Sequence, residues 1–422
     1  MSSRQPSVPG LESRRAALRI LDRVLRSGST VDGASHLATS LPPSDQALAF
    51  AIIGETVRRL PELDALIDGA MRQPLPADSK ARMVLRLALA QKLTMTVPDH
   101  AIVSTALPLV DGGPRRLVHG VLGTLIRSHP QPSASTPLPA EVEARWADHW
   151  GDAAVASARR QIVSRPALDL SFVRDEDAKA FAAANDARSL AARHVRLESG
   201  NVSALPGYDA GDWWVQDLAA SLPARLIPAG RPVLDLCAAP GGKTMQLAAA
   251  GNLVVALDSS KGRLARLGDN LRRTRLEARL VRADAFDWEP DGPIDAILLD
   301  APCSATGTFR RHPEVLYRVR PRYIAEAAET QLRLLTRASA WLRPGGTLIY
   351  SVCSLEREEG EGVIEAFLTS NPGFGLIPPA PGELPEFVPV SKKGWVRILP
   401  GTIEEEGGLD GFFIARLVRD AK

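Results

Sequence analysis

Apolar side chains recur at helical spacing through the first part of the chain. Between residues 13 and 27, Leu18, Leu21, Val24 and Leu25 fall on one face of a helix, as helical periodicity requires. Other segments repeat this period, and none of them alternates as a half-buried strand does. They cover residues 44–60, 61–71, 81–93, 99–110 and 114–127. The pattern predicts an all-α domain over residues 1–130.

The pattern changes after residue 231, where short apolar runs alternate with helical segments. The runs cover residues 232–236, 253–257, 279–282, 294–299 and 347–352. Helical segments are expected at residues 244–250, 261–275 and 322–342. Continuous apolar strands that alternate with helices are typical of a parallel sheet covered on both faces. We therefore expect an α/β domain over residues 221–422.

The region between these two domains has a less regular pattern. Residues 129–139 form a stretch rich in proline and serine, which predicts a linker. A helix is expected at residues 139–163, and a second one at residues 176–192. Short apolar runs at residues 168–173 and 195–197 predict strands. Residues 140–220 are thus expected to form a small α/β linker segment, and the family resemblance given below implies that this segment shapes a channel for the substrate.

Composition narrows the class of protein. The net charge is only +2, less than is usual for a protein that holds nucleic acid by bulk positive charge, so composition neither favours nor excludes a nucleic-acid partner. The cysteines at 237, 303 and 353 are odd in number and far apart, which argues against a disulfide framework and a zinc site. The first ten residues are polar, and no apolar run is long enough to span a bilayer. We expect a soluble cytoplasmic protein without a bound metal or a membrane partner.

Residues 233–244 read as a buried strand that runs into a turn of small residues and then a helix. Small residues let the backbone approach a ligand, and the N–H groups at a helix start attract electronegative atoms. A Walker A loop would require glycine at position 237, and the GxGxxG pattern is not matched. The turn is therefore interpreted as a variant nucleotide pocket.

Acidic residues stand at the ends of successive predicted strands. Asp258 and Asp300 end the second and fourth strands, and Asp284 follows the third. In doubly wound folds a carboxylate at such a position accepts hydrogen bonds from ribose hydroxyls. An acidic residue there can instead cap the next helix. The three together, in register with the glycine turn, favour a common crevice.

Cys303 and Cys353 each come just past an apolar strand and next to a serine. A free cysteine is often a small buried hydrophobe, but a thiolate at a ligand-binding edge suits covalent chemistry. The basic loop at residues 309–314 lies between them in the chain. This loop is either a solvated surface stretch or a contact for phosphate groups.

These motifs also carry a family resemblance. Residues 234–244, 300–307, 310–313 and 350–354 resemble the RNA (cytosine-5) methyltransferase family, as do residues 214–217 and 408–413. Within the family, the chain is most similar to bacterial members that modify 16S rRNA and carry a NusB-like helical RNA-binding domain at the N-terminus. The resemblance implies a Rossmann-like class I methyltransferase domain, S-adenosylmethionine as the cofactor and RNA, with rRNA favoured, as the substrate of a monomeric enzyme.

The resemblance also implies a role for each site residue. Cys353 would be the nucleophile, Cys303 would assist product release, and Asp300 would lie between the cofactor and the target base. Asp258 would bind the ribose and Asp284 would lie beside the adenine. The remaining cofactor contacts are expected from Cys237, Ala238, Ala239, Pro240, Gly241, Gly242, Lys243 and Arg263, and the RNA contacts from Arg310, Arg311 and His312.

Other functions remain open at this point. The same enzyme could act on tRNA, although the added helical domain argues against that by resemblance. A non-catalytic RNA-binding or assembly factor is motivated by the helical domain and by the basic stripe at Arg15, Arg19, Arg23 and Arg26. This alternative is weaker, because an inactive relative would have little reason to keep both thiols and all three carboxylates.

Overall fold

A computed structural model describes residues 8–421 and divides the chain into two compact units. The first unit comprises the chain up to Arg165 together with Phe309–Arg318. The second comprises Pro166–Thr308 and the chain from Val319 onward. Most of the polar N-terminal segment discussed above lies outside the described residues. Among residues 8–421, no helix combines the length and the apolar character needed to cross a membrane.

The first unit is built from helices, as its periodicity predicts. Its central helix α4, Lys80–Thr94, is buried on nearly all sides and contributes to both apolar cores of the unit. Val84 and Leu85 belong to one core, and Met83 and Leu87 belong to the other. A helix buried on nearly all sides belongs inside a bundle, and its buried Arg82 and Arg86 are paired with Asp68 and Asp64. The helices are α1 Leu11–Ser27, α2 Pro43–Arg58, α3 Leu60–Gly69, α4 Lys80–Thr94, α5 Asp99–Ala106, α6 Gly112–Arg127 and α7 Ala140–Val163.

The helical unit extends beyond the boundary expected from the sequence. Helix α7, expected in the middle segment, belongs to this unit, and so does the distant stretch Phe309–Arg318. Phe309 is fully buried and meets the ring of Trp146 edge to face, with centroids 5.6 Å apart. Arg58 Nη1 donates to the carbonyl oxygen of Arg310 at 2.6 Å. Apolar burial and this hydrogen bond account for the placement of a segment that is so far away in sequence.

A small antiparallel sheet opens the second unit, with strand order β2-β1-β3. Its strands are β1 Leu168–Phe172, β2 His194–Leu197 and β3 Trp213–Val215, and helix α8 covers Asp175–Ala184. Helix α8 is shorter than the segment 176–192 expected from periodicity. It ends there because Asp186 adopts a left-handed φ of 48° and Arg188 forms a β-bridge with Arg196.

A buried ion pair fixes this small sheet to its surroundings. Arg196 donates through Nε and Nη2 to the two carboxylate oxygens of Asp169, each at 2.7 Å. His194 Nε2 lies 3.2 Å from the same carboxylate. The backbone N–H of Leu218 also donates to Asp169 at 3.0 Å, and Arg196 Nη1 reaches the carbonyl oxygen of Gly408 at 2.9 Å. The ion pair therefore joins the small sheet to two other parts of the unit, Asp169 to Leu218 and Arg196 to Gly408.

The main sheet has the order β10-β11-β8-β7-β4-β5-β6, and β9 pairs with β11. Strands β4 to β8 run parallel, as the sequence predicts. The C-terminal strands β9, β10 and β11, which the pattern does not reveal, add to one side in antiparallel fashion. Antiparallel strands need no crossover helix, so these strands lack the strand–helix alternation that revealed the others. The strands are β4 Pro232–Leu236, β5 Leu253–Asp258, β6 Arg279–Arg282, β7 Ile294–Asp300, β8 Leu342–Val352, β9 Phe374–Leu376, β10 Val396–Ile398 and β11 Phe412–Arg419.

Helices cover both faces of this sheet, as expected. Alternate residues of β4 enter opposite cores: Val233 packs in one and Leu234 in the other. Leu267 of α11 lies in the first core and Leu334 of α12 in the second. The helices are α9 Leu218–Arg225, α10 Gly242–Ala249, α11 Lys261–Thr274, α12 Pro321–Trp341 and α13 Val363–Ser370. Because β4 lies between β5 and β7, the connections diverge there, and ligands of doubly wound folds bind at such a point.

Replacement of Asp169 by asparagine should destabilise the protein by about 3–5 kcal/mol, because it leaves the buried Arg196 guanidinium unpaired. Burial alone would raise the pKa of Asp169, but Arg196 and His194 hold it well below the ordinary value. The stabilisation is therefore complete above about pH 4 and is lost as the pH falls further. Urea unfolding of wild type and Asp169→Asn between pH 3 and pH 7 measures both effects. Exposed Asp209→Asn serves as the control, and an equal loss in that variant would contradict the prediction.

Candidate active site

The turn after β4 adopts a conformation that ordinary residues avoid. Cys237 and Gly241 both have left-handed backbone angles, with φ of 58° and 107°. A Cβ atom on Gly241 would lie 2.0 Å from the Cδ1 atom of Leu267, so this position requires glycine. Helix α10 begins at the next residue, Gly242. The small residues recognised in the sequence therefore let the turn pack closely against α11 and direct the start of α10 to the end of the sheet.

Asp258 at the end of β5 fixes this turn. Its carboxylate is buried and accepts the N–H of Ala239 at 3.1 Å and the N–H of Ser260 at 2.9 Å. The guanidinium of Arg263 lies 3.6 Å from the same carboxylate and also donates to the carbonyl oxygen of Ala239. Ser260, not Asp258, caps the helix Lys261–Thr274 by accepting the N–H of Arg263, so Asp258 holds the turn and faces the crevice described below.

Asp300 at the end of β7 accepts hydrogen bonds from two other elements. Lys243 Nζ donates to its Oδ2 at 2.7 Å, and the Ser351 hydroxyl donates to its Oδ1 at 2.8 Å. The ammonium group of Lys243 also lies 5.2 Å from the ring centroid of Phe412. Lys243, expected among the cofactor contacts, therefore acts on Asp300 in this structure. Ser351 and Phe412 were not identified individually, although both lie within sequence motifs singled out above.

The two strand-end cysteines meet in space. Their Sγ atoms are 3.5 Å apart, within hydrogen-bonding distance for sulfur. The hydrogen bond to Cys353 raises the pKa of Cys303 well above its ordinary value, and burial raises it further. Cys303 therefore keeps its proton and donates it towards Cys353. The pair thus places a protonated thiol directly beside the sulfur of Cys353.

Backbone contacts hold the two thiol loops at this distance. The N–H of Gly307 donates to the carbonyl oxygen of Cys353 at 3.0 Å, and the N–H of Gly411 donates to the carbonyl oxygen of Gly307 at 2.9 Å. A Cβ atom on Gly307 would lie 2.0 Å from the Gly411 oxygen, so the close approach needs glycine. The buried Glu359 accepts the N–H of Ser304 at 2.9 Å. Sequence reasoning missed Glu359, because nothing in its local pattern marks a partner 55 residues away.

The predicted side chains converge on a crevice of about 500 Å³. Asp284 is exposed there, and its Oδ1 accepts the N–H of Phe286 at 2.9 Å. Burial, aided by the carboxylates of Asp300 and Asp258, raises the pKa of Cys237 to about 12. This thiol therefore stays neutral at neutral pH. The predicted residues that line the crevice are Cys237, Asp258, Arg263, Asp284, Asp300, Cys303 and Cys353.

The three residues expected to contact RNA lie in the helical unit. Arg310 is 2% exposed, whereas Arg311 and His312 are partly exposed. His312 Nδ1 lies 3.8 Å from the carboxylate of Glu314, which also accepts the N–H of Val31 at 3.2 Å. The interpretation of this basic loop as a solvated surface stretch therefore does not apply to Arg310. Its burial gives it a packing role in the helical unit.

A doubly wound sheet with a nucleotide-type crevice beside two thiols defines a cofactor-dependent transferase, and comparisons with known proteins give the family. The model for 16S rRNA methyltransferase RsmB/F matches residues 227–418, and the NusB family model matches residues 11–127. Ribosomal RNA small subunit methyltransferase B of Xylella fastidiosa strain Temecula1 is 35% identical over 97% of this chain and 99% of its own length. The chain belongs to the small-subunit ribosomal RNA methyltransferase B family.

Solved structures support the fold. The crystal structure of PH0851 covers 98% of this chain and all of its own, with a TM-score of 0.71 at 21% identity. The crystal structure of NSun6 from Pyrococcus horikoshii with SFG covers 68% of this chain and 99% of its own, with a TM-score of 0.58 at 19% identity. The expected NusB-like helical domain and Rossmann-like methyltransferase domain are confirmed.

Family membership also confirms S-adenosylmethionine as the cofactor. The residues that line the crevice fit S-adenosylmethionine. Asp258 offers a buried carboxylate to ribose hydroxyls, and Leu257, Phe286 and Leu334 line the crevice with apolar surface suited to an adenine ring. Asp300 and both thiols line the same crevice.

The thiol pair makes a testable prediction about alkylation. In the wild type, iodoacetamide at pH 8 should leave Cys303 and Cys237 unmodified, because both pKa values are raised. Cys353→Ala removes the largest cause of the shift at Cys303, so alkylation of Cys303 should begin at lower pH. Its rate near pH 8 should rise about tenfold for each unit by which the pKa falls. Mass spectrometry of the modified peptides measures this, with Cys237 as the internal control. An unchanged pH profile for Cys303 would contradict the proposed proton location.

Proposed function

We propose that this protein methylates C5 of a cytosine in small-subunit (16S) ribosomal RNA through a covalent adduct with Cys353. The observation that carries the proposal is the pair of sulfur atoms 3.5 Å apart, in the crevice that also contains Asp300. C5 of cytosine is a poor nucleophile, and a thiolate added at C6 overcomes this by increasing the electron density at C5. A crevice without such a thiol would not provide this route.

Different residues of the chain carry out different parts of the proposed reaction. Cys353 adds to C6, and the electron pair of the C5–C6 bond moves into the ring, where charge develops at N3 and O2. Asp300 passes a proton to N3 to offset this charge and takes it back when the product is released, and Lys243, which donates a hydrogen bond to Asp300 at 2.7 Å, orients this carboxyl group. S-adenosylmethionine supplies the electrophilic methyl group that C5 accepts.

Release of the product requires the reverse of the first step. A general base removes the proton from C5, the bond between C6 and Cys353 breaks, and its electron pair returns to sulfur. The Cys303 thiol, 3.5 Å from Cys353, donates a hydrogen bond to the departing thiolate. This donor role agrees with the raised pKa of Cys303, which keeps its proton in place. The target base must leave any stack to reach the crevice, so an unpaired or flipped cytosine is expected.

Two observations favour 16S rRNA over tRNA as the substrate. The curated relatives that match nearly the whole chain are named as methyltransferases of small-subunit ribosomal RNA, and residues 11–127 match the NusB family. The non-catalytic alternative requires the thiol pair and the Lys243–Asp300 contact to have no function. These contacts are assembled as catalysis needs them, which makes an enzyme the stronger proposal.

The thiol roles can be separated by mutation. With radiolabelled S-adenosylmethionine and small-subunit rRNA, the wild type should label C5 of cytosine. Cys353→Ala should abolish turnover, whereas Cys303→Ala should accumulate a protein–RNA adduct visible as a band of higher mass on a denaturing gel. The matched control is the double variant, which should form no adduct. Adducts in Cys353→Ala instead would reverse the two roles, and label on tRNA alone would support the tRNA alternative.

The cofactor site makes an independent prediction. Asp258→Ala should weaken binding of S-adenosylmethionine by about 10- to 100-fold, because hydrogen bonds to a charged partner contribute about 1.5–3 kcal/mol each. Isothermal titration calorimetry measures the change, and the exposed Asp269→Ala provides the control. Equal affinities for Asp258→Ala and the wild type would remove Asp258 from the cofactor site.

A further inference from the structure

A second cavity lies at the other end of the main sheet. It has a volume of about 420 Å³ and is lined by Ser171, Arg193, Arg225, Gln246 and Glu383 among others. Pro228 and Ala229, which precede β4, and Ala249, which ends α10, also line it. The cofactor turn follows the carboxyl end of β4, so this cavity is separate from the crevice with the two thiols.

Two arginines face this cavity without acidic partners. Arg193 Nη1 donates to the carbonyl oxygen of Ala249 at 3.0 Å, and Arg225 Nη2 donates to the carbonyl oxygen of Ala192 at 2.9 Å. Among residues 8–421, neither guanidinium forms an ion pair. Each guanidinium has five N–H donors, so donors remain on both after these bonds. Burial, and then the charge of Arg193, lower the pKa of Arg225 to about 10.

The surrounding acidic groups compensate this pair only in part. Asp175 is bound to Lys179 at 2.7 Å, and Glu383 is bound to Arg416 at 2.8 Å. Asp175 also accepts the backbone N–H of Arg193 and attracts both arginines, but it forms an ion pair with neither guanidinium. The positive charges of Arg193 and Arg225 remain, in a half-enclosed space that weakens screening by water.

Ser171 provides a second, independent observation. Its side chain is 3% exposed, lines the same cavity, and its hydroxyl has no hydrogen-bond partner within the described part of the chain. A buried polar group without a partner costs free energy, and such groups in folded proteins call for an explanation. A ligand oxygen in the cavity would satisfy the hydroxyl and the free guanidinium donors together.

We infer that this cavity binds a phosphate group, held by Arg193 and Arg225 with Ser171 as a neutral donor. Guanidinium groups fit phosphate oxygens through paired N–H donors, and phosphate carries the charge needed to offset two cations. The phosphate comes either from the backbone of an RNA or from a free phosphate compound. The inference does not depend on the reaction proposed for the thiol crevice.

Inorganic phosphate tests the site directly. At constant ionic strength, replacing chloride by phosphate should raise the Tm of the wild type, because a ligand that binds the folded state stabilises it. The rise should be lost in Arg193→Gln and in Arg225→Gln. The two residues lie on different elements, so one variant still tests the site if the other does not fold. The exposed Lys392→Gln is the matched control for loss of one charge and should respond as the wild type does. Equal responses in all four proteins would overturn the proposal.

An RNA measurement identifies the source of the phosphate. For a 16S rRNA fragment, the slope of log K against log salt should fall by about 1 in the Arg193→Gln/Arg225→Gln double variant if the cavity holds a backbone phosphate. Turnover at saturating RNA should stay unchanged, since neither residue lies in the thiol crevice. A Tm response without a change of slope assigns the cavity to a free phosphate compound. Absence of both effects overturns the proposal, whatever the outcome of the methylation assay.

Discussion

The pairing of two parallel strands, β7 and β8, is the constraint on which the reactive site depends. In their register, Asp300 lies opposite Ser351. Each of the two strands leaves the sheet near this pair, and Cys303 and Cys353 follow Asp300 and Ser351 within three residues. Parallel strands end at the same edge, so the two thiols must emerge side by side. A shift of one residue in this pairing would separate the sulfur atoms and break the bond between Ser351 and Asp300.

Much of the fold could be predicted because it depends on local periodicity. Strand β4 was predicted with its observed ends, and most predicted helices ended within a few residues of the observed ones. Strands β9 and β10 were not predicted, because each has only three residues, too few to show a period. Helix α8 was predicted too long, because its helical pattern continues past Asp186, where the backbone turns. Boundaries of this kind are decided by single residues and their tertiary contacts.

The site was predictable to the extent that strand ends determine it. The carboxylates and the thiols follow apolar runs, so their meeting could be inferred from parallel topology alone. Residues such as Glu359 and Gly411 could not be inferred, since their importance comes from contacts with distant backbone atoms. The basic loop shows the reverse problem. Its sequence indicates a charged surface, whereas Arg310 is buried and its carbonyl oxygen accepts a hydrogen bond from Arg58.

The placement of Phe309–Arg318 has a consequence for the modularity of this chain. The chain leaves the methyltransferase unit after Thr308, contributes ten residues to the helical unit, and returns at Val319. The two units are therefore not consecutive segments of the chain, and cleavage of one peptide bond would not separate them. A methyltransferase unit expressed alone would carry the apolar side chains of Phe309 and Leu316 without the helices that bury them. A simple exchange of the N-terminal domain would therefore leave the inserted segment without the helices that it packs against.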